Sequence, residues 1–382
     1  MTTQHAPLYK SDFIGLDDCV WLYNGAESPP LRGAADALGA YMTYRGSGPG
    51  GREQNAAVEE NCRRQLAALM NGQPEQIALL GNTSDAISHI ALALELKAGD
   101  NVVINTLEFP SGVLPWLEWK ARGVEVRVVP HRNWAVPVAD VIERVDGATR
   151  LVMASHVSYM TGARCDYRAL YEQLQSTNAL LLLDATQSLG VVPVDLEYSD
   201  FIVSSTYKWL LATHGAGVLG VNPRRTAALM QNDAVRPIGW RGVSDMFSAH
   251  RFEKFTRHTD ARQFETGYPS YPTLYALDFS TRLLLGTGLE RIAEHVLQLG
   301  ERTIAGLEGL GFEVMTPRTP EGRAGNIAWI CPRGEELAQA LQEQRIFLWG
   351  GDGRARASMH GFNDEDDIAR LLEALRAWKN GQ

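Results

Sequence analysis

The chain has 382 residues, 45% of them hydrophobic and 21% charged, the balance of a folded globular protein with a large core. Its formal net charge of −9 argues against nucleic acid or an anionic membrane surface as a main partner. Four scattered cysteines (Cys19, Cys62, Cys165, Cys331) make neither a metal-ligand spacing nor a disulfide framework, the opening MTTQHAPLYKSDF has no apolar signal-peptide core, and no apolar run approaches the roughly 18–20 residues of a membrane helix, so a reduced, cytoplasmic setting is expected.

Along the chain, short apolar runs alternate with helical patterns. RGSGPGGRE (45–53) is Gly-rich, lacks the Lys-Ser/Thr of a P-loop, and reads as a mobile entrance loop offering Arg45 or Arg52 to a substrate. Residues 55–71 read as a helix, 76–81 as a strand, and TSDAISHIALALEL as a helix from Thr83 or Ser84. Strands follow at 101–106, 124–130, 150–157, 179–186, 200–206 and 215–221, with helices around 111–122, in VADVIERV and in YRALYEQLQ. From 222 to 275 the pattern breaks into Gly, Pro, Trp and charge. A long amphipathic helical stretch, Tyr275 to Leu310, is interrupted at GTGLE. A smaller α/β pattern closes the chain: FEVMT, NIAWICP, a helix over 334–344, IFLWG, RARASMHG, and a last helix opened by Asn363 with Asp366 three residues on.

Continuous Val/Ile/Leu runs between helices indicate strands buried on both faces, hence a mostly parallel α/β sheet. The expected division is an N-terminal segment (1–20), a large domain (21–265), and an interdomain helix with a small C-terminal domain (266–382). In such sheets ligands sit beyond the carboxyl ends of the strands. After QIALL comes GNTSDA, which suits either a helix cap or a phosphate corner at a helix N-terminus. After ALLLL comes Asp184, with Gln187 three residues on. After FIVSST comes Tyr207-Lys208; alone, that lysine reads as one that snorkels to solvent. Together, a phosphate corner, an acid and a lysine fit pyridoxal 5′-phosphate, which needs a Schiff-base lysine, a carboxylate for its pyridine nitrogen and a phosphate cradle.

At this point the sequence resembles the fold-type I pyridoxal-phosphate enzymes of the class V aminotransferase family, the group of cysteine desulfurases, cystine lyases, isopenicillin-epimerase-like proteins and kynureninases. The resemblance spans most of the chain and rests on GNTSDAISHIA, LEFPSGVLPW, SHVSYMTG, LLLDATQSLGVVPVDL, SSTYKW, FETGYPSYPTLYAL and RASMHGFNDEDDI. It implies a large domain built on a mostly parallel seven-stranded sheet and a homodimer with shared active sites. It also implies roles. Lys208 carries the cofactor and serves as general base, and Asp184 pairs with the pyridine nitrogen. Gln187 hydrogen-bonds the phenolic oxygen; Thr83, Ser84, Ser205 and Tyr207 bind the phosphate. Phe109 stacks on the cofactor face, where many desulfurases have histidine. Ser158 and Tyr159 form a small polar pair beside the cofactor, and Arg356 clamps the substrate carboxylate. Where the family often has a threonine that reaches the neighbouring subunit's phosphate, this chain has Tyr268, leaving Tyr268 or Ser270 for that role. Trp240 borders the pocket either as a substrate contact or as a packed loop tryptophan.

One departure bears on the reaction. Persulfide-forming desulfurases carry a catalytic cysteine on a loop shortly before the arginine, but IFLWGGDGRAR has none, and Cys331 falls in an apolar strand. The resulting expectation is an amino-acid enzyme working through an external aldimine and a Cα carbanion, favouring β-elimination from a cysteine-derived or similarly β-substituted amino acid. Transamination, epimerisation and kynureninase-like cleavage are the alternatives, and the enzyme-persulfide route is disfavoured.

Overall fold

The computed structural model describes residues 6–232 and 234–381; residues 1–5 of the expected N-terminal segment lie outside the described residues. A short strand β1 (Val20–Trp21) leads into helices α1 (Arg32–Arg45) and α2 (Pro49–Leu69). Then come β2 (Ile77–Leu80), α3 (Thr83–Ala93), β3 (Asn101–Asn105), α4 (Leu114–Lys120), β4 (Glu125–Val129), α5 (Val138–Ile142), β5 (Thr149–Ser155), α6 (Tyr167–Leu174), β6 (Leu180–Asp184), β7 (Phe201–Ser205), β8 (Gly217–Val221) and α7 (Pro223–Gln231). Strands β2 to β8 form one seven-stranded sheet in the order β2-β8-β7-β6-β5-β3-β4. Four of its pairings are parallel; β8 runs antiparallel to both β7 and β2.

The sheet is buried on both faces because its apolar runs supply side chains to both. Leu79, Val103, Leu181, Leu183, Ile202 and Val218 pack into the core on one side. Their alternate neighbours Ala78, Leu80, Val102, Leu182, Val203 and Leu219 pack into the core on the other, as the two-residue period of a strand requires. The register aligns the strand ends. Ser155 lies opposite Asp184, Ser205 opposite Gly217, and Gly217 opposite Leu80. One edge of the sheet therefore presents an acid, hydroxyls and the start of α3 side by side.

The second half comprises α8 (Tyr271–Thr287), α9 (Leu289–Gly309), β9 (Asn326–Ile330), α10 (Gly334–Glu343), β10 (Ile346–Phe347), β11 (Trp349–Gly351), β12 (Arg354–Ser358) and α11 (Glu365–Asn380). β11, β12 and β9 make an antiparallel sheet, and β10 pairs with β1. Packing does not divide at residue 265. Leu274 to Val296 pack with the large core, whereas most apolar residues from Leu299 onward, Ala324 and Phe362 excepted, pack with the small one, joined by Val20 and Leu22.

Several expectations change. RGSGPGGRE is not a loop: α2 starts at Pro49, a residue suited to the first helical position. Gly51 lets that turn press against α1, since a Cβ there would lie 2.0 Å from the Tyr44 carbonyl oxygen. Helices α1 and α7 were not anticipated; α7 is capped by Asn222, whose side chain accepts from the Arg224 amide. FEVMT contributes only a bridge, Val314 to Trp329, and IFLWG splits between β10 and β11. The last helix is capped by Asp364 with Asp367, one residue later than read. The break at GTGLE is Gly288, whose φ of 88° suits glycine.

Candidate active site

The aligned strand ends and the start of α3 enclose a cleft lined by Thr83, Ser84, Phe109, Tyr159, Asp184, Gln187, Ser205, Tyr207 and Lys208, so nine of the residues singled out from the sequence meet there. Four more expected residues stand outside that lining: Arg356, described below, Ser270, Trp240 and Ser158. Ser270 caps the start of α8 and accepts a hydrogen bond from Thr273 at 3.0 Å. Trp240 packs its ring 4.7 Å from that of Tyr268, whose hydroxyl accepts from Arg52 at 2.9 Å. Ser158 turns its hydroxyl away, accepting from the amides of Met160 and Thr161.

α3 runs eleven residues from Thr83, capped by Asn82, whose side chain accepts from the Asp85 amide. β8 approaches this end so closely that a Cβ on Gly217 would lie 2.3 Å from the Asn82 carbonyl carbon. Around it stand Ser84, bonded at 2.7 Å to Ser111, and two buried hydroxyls without partners among the described residues, Thr83 Oγ1 and Ser205 Oγ. Unpartnered buried hydroxyls are uncommon, and two beside a helix N-terminus fit an anion with several acceptor oxygens. Tyr207 is held in place by stacking on His214, ring centroids 3.8 Å apart.

Lys208 is 9% exposed, its Nζ 5.6 Å from the Phe109 ring centroid and 5.5 Å from that of Tyr207. Burial, helped by the charge of Arg356 and opposed by that of Asp184, pushes its pKa down to about 8. Part of its population is therefore an unprotonated amine near neutral pH, which is what a Schiff-base or proton-transfer lysine requires. Asp184, also buried, accepts from the Thr186 amide at 2.8 Å; burial raises its pKa, against the pull of Thr186 and Lys208. Behind it lies a second buried acid, Glu108, which accepts from the Ser155 amide and hydroxyl and from Asn105; burial raises it to about 7. The Gln187 amide donates to the Gly25 carbonyl at 2.8 Å and accepts from Trp209 and Asn326.

Arg356 is buried at the side of the cleft, bonded to the Tyr159 carbonyl and, at 3.2 Å, to Ser358 Oγ. Burial and the neighbouring Arg354 lower its pKa to about 10. Gly25 makes room for it: a Cβ there would lie 2.6 Å from Ser358 Oγ and 2.7 Å from Arg356 Nη2. Sequence reasoning missed Ser111, Ser155, Thr186 and His214 as lining residues. Ser111, Ser155 and Thr186 stand within quoted motifs and His214 just after one, but the resemblance attaches no role to any of them; the register of β5 against β6 sets Ser155 opposite Asp184.

Residues 20–371 match the family described as aminotransferase class V. A protein of Methanothermobacter thermautotrophicus named a probable cysteine desulfurase is 27% identical over 83% of this chain and 82% of its own length. Among solved structures, the apo cysteine desulfurase of Thermococcus onnurineus superposes with a TM-score of 0.89 at 22% identity, covering both chains completely. A complex of the cystine C–S lyase C-DES with its reaction product cysteine persulfide gives 0.86 at 23% identity, covering 95% of this chain and 99% of that one. These structural likenesses carry the fold.

Proposed function

Since the chain belongs to the aminotransferase class V family, we propose that it is a pyridoxal-phosphate enzyme that cleaves the C–S bond of a cysteine-derived amino acid. The observation that carries the cofactor assignment is the meeting, in one cleft, of a buried lysine of lowered pKa, a buried aspartate and two unpartnered hydroxyls at a helix N-terminus. These residues fit the cofactor's three demands: Lys208 for its aldehyde, Asp184 for its ring nitrogen, and Thr83, Ser84, Ser205 and Tyr207 for its phosphate. Phe109 and Tyr159, edge to face with ring centroids 5.1 Å apart, would cover the ring and keep water from it.

Bound there, the cofactor supplies an electrophilic carbon for the substrate amine and a sink for the electron pair left at Cα. Lys208 Nζ takes the Cα proton as general base. The Cβ–S bond breaks with its electron pair on sulfur, and Lys208 Nζ is the group placed to return a proton to it. Arg356 holds the substrate carboxylate; a guanidinium matches a carboxylate with two parallel hydrogen bonds, which a lysine does not.

Names among the relatives include both cysteine desulfurase and cystine C–S lyase, so they lend no support to the expectation against an enzyme persulfide. What supports simple elimination is the state of the thiols. Cys19, Cys62 and Cys331 are buried and Cys165 is partly so; burial raises all four pKa values, that of Cys165 to about 12. None has the lowered pKa of a reactive thiolate. Trp240, Tyr268 and Ser270 lie outside their own chain's cleft, which suits contribution to a second copy's cofactor in a homodimer.

The test is to incubate the holoenzyme with cystine, with cysteine and with S-carboxymethylcysteine, and to assay pyruvate, alanine and sulfide. Pyruvate from the S-substituted substrates supports β-elimination. Alanine from cysteine, without pyruvate from any of them, makes the protein a desulfurase instead.

A further inference from the structure

Strand β12 reads Arg354-Ala355-Arg356-Ala357-Ser358. Residues two apart on a strand share a face. Ala355 and Ala357 enter the small core. Arg354, Arg356 and Ser358 therefore share the opposite face, the one that meets Gly25 and Tyr159. Arg354 is 2% exposed, yet among the described residues its Nε and Nη2 have no hydrogen-bond partner. Only Nη1 has an ion pair, with the Asp352 carboxylate at 3.3 Å, and that carboxylate is 75% exposed. The guanidinium lies 4.4 Å from the Trp349 ring centroid and 5.6 Å from that of Tyr159, the residue that lines the cleft and whose carbonyl holds Arg356. Among the described residues Arg356 has no carboxylate partner. Two buried cations thus stand side by side with one weak, solvent-facing counter-charge, an arrangement that costs free energy unless something anionic completes it.

We propose that Arg354 is a second anion-binding residue, so that the substrate is an amino acid whose side chain ends in a carboxylate or sulfonate. Arg356 takes the α-carboxylate and Arg354 the distal acid. The specificity claim rests on the amino-acid reading above; the anion-binding claim does not. Two strand residues span about 6.5 Å at roughly 3.3 Å each. Four atoms between two carboxyl carbons reach that far, the spacing in S-carboxymethylcysteine, where they are Cα, Cβ, sulfur and a methylene.

Adipate has the same spacing without the amine or the sulfur, and hexanoate lacks the distal carboxylate. Neither forms a Schiff base nor is turned over, so their binding is independent of whether the protein is a lyase. The experiment is calorimetric titration of the holoenzyme with each, for wild type, Arg354→Met and Arg354→Lys. A charged hydrogen-bonded contact predicts that adipate binds wild type about tenfold more tightly than hexanoate or better. Arg354→Met is expected to erase the difference while leaving hexanoate binding in place, and Arg354→Lys to keep part of it. Equal affinity for the two acids in wild type overturns the proposal without recourse to any variant. So does a preference for adipate that survives in Arg354→Met, or a loss of both acids alike in that variant, which would mark Arg354 as a packing residue of the β11–β12 hairpin.

Discussion

Replacing Lys208 by methionine should stabilise the cofactor-free protein. Lys208 is buried, and its pKa falls from an ordinary 10.5 to about 8, first through desolvation, then through Arg356, with Asp184 pulling the other way. A folded-state pKa below the unfolded value means that the unfolded chain binds the extra proton between about pH 8 and pH 10.5. Stability therefore rises with pH across that window, and below about pH 8 the full cost of burying the ammonium is present. At 1.36 kcal/mol per pKa unit, that cost is about 3 kcal/mol, an upper figure because removing the lysine also strips Asp184 of a counter-charge. Methionine fills a similar volume and carries no charge. Urea denaturation of apoprotein near pH 7 should give the variant a higher midpoint at unchanged slope, by up to about 3 kcal/mol, and the gap should shrink toward pH 10. A wild type as stable as the variant near pH 7, or a gap that does not change with pH, would refute the claim that this lysine is held against its preference for water.

Three further outcomes follow from individual contacts. Ser205→Ala removes a buried hydroxyl that has no partner, so the apoprotein should gain about 1 kcal/mol in denaturant while affinity for pyridoxal phosphate drops about tenfold or more, read by fluorescence titration. Glu108→Gln keeps an acceptor for the Ser155 amide but cannot ionise; because burial raises the acid from 4.5 to about 7, wild type loses stability as pH climbs between those values. The glutamine variant should therefore match wild type near pH 4 and exceed it by about 1–3 kcal/mol above pH 7, and equal stabilities at pH 8 would count against the protonated acid. Gly25→Ala sets a methyl group 2.7 Å from Arg356 Nη2, and should raise KM for any amino-acid substrate about tenfold with a smaller change in kcat.

What the sequence makes legible is what local chemistry dictates. The buried strands announce themselves because Leu180–Asp184 and Phe201–Ser205 are unbroken apolar runs whose last residues are polar. Lys208 and Asp184 become candidates because polar residues at those positions need a reason. Ser155 stands in a quoted motif yet escapes notice because its place beside Asp184 depends on the register of β5 and β6, a long-range property; Thr186, two residues after Asp184, gives no local signal that it faces the cleft. The segment 45–53 misleads because its glycines suggest mobility, whereas Gly51 serves close packing of α2 on α1. Nothing in the sequence singles out Arg354, and only the packing of β12 against the Tyr159 side of the cleft shows it to be buried. Ser270 and Trp240 illustrate the opposite case: motif position places Ser270 near the cofactor, an irregular stretch bordering the expected site places Trp240 there, and a single chain holds both outside its own cleft lining.

The central claim is that Lys208 anchors pyridoxal phosphate. Reducing the cofactor-loaded protein with borohydride fixes any Schiff base as a stable secondary amine, and peptide mapping by mass spectrometry then locates it. The account predicts a pyridoxyl group on the peptide containing Lys208 and on no other, and its disappearance from that peptide in Lys208→Met. A pyridoxyl group on Lys10, Lys97, Lys120, Lys254 or Lys379 instead, or on no lysine at all, would contradict it.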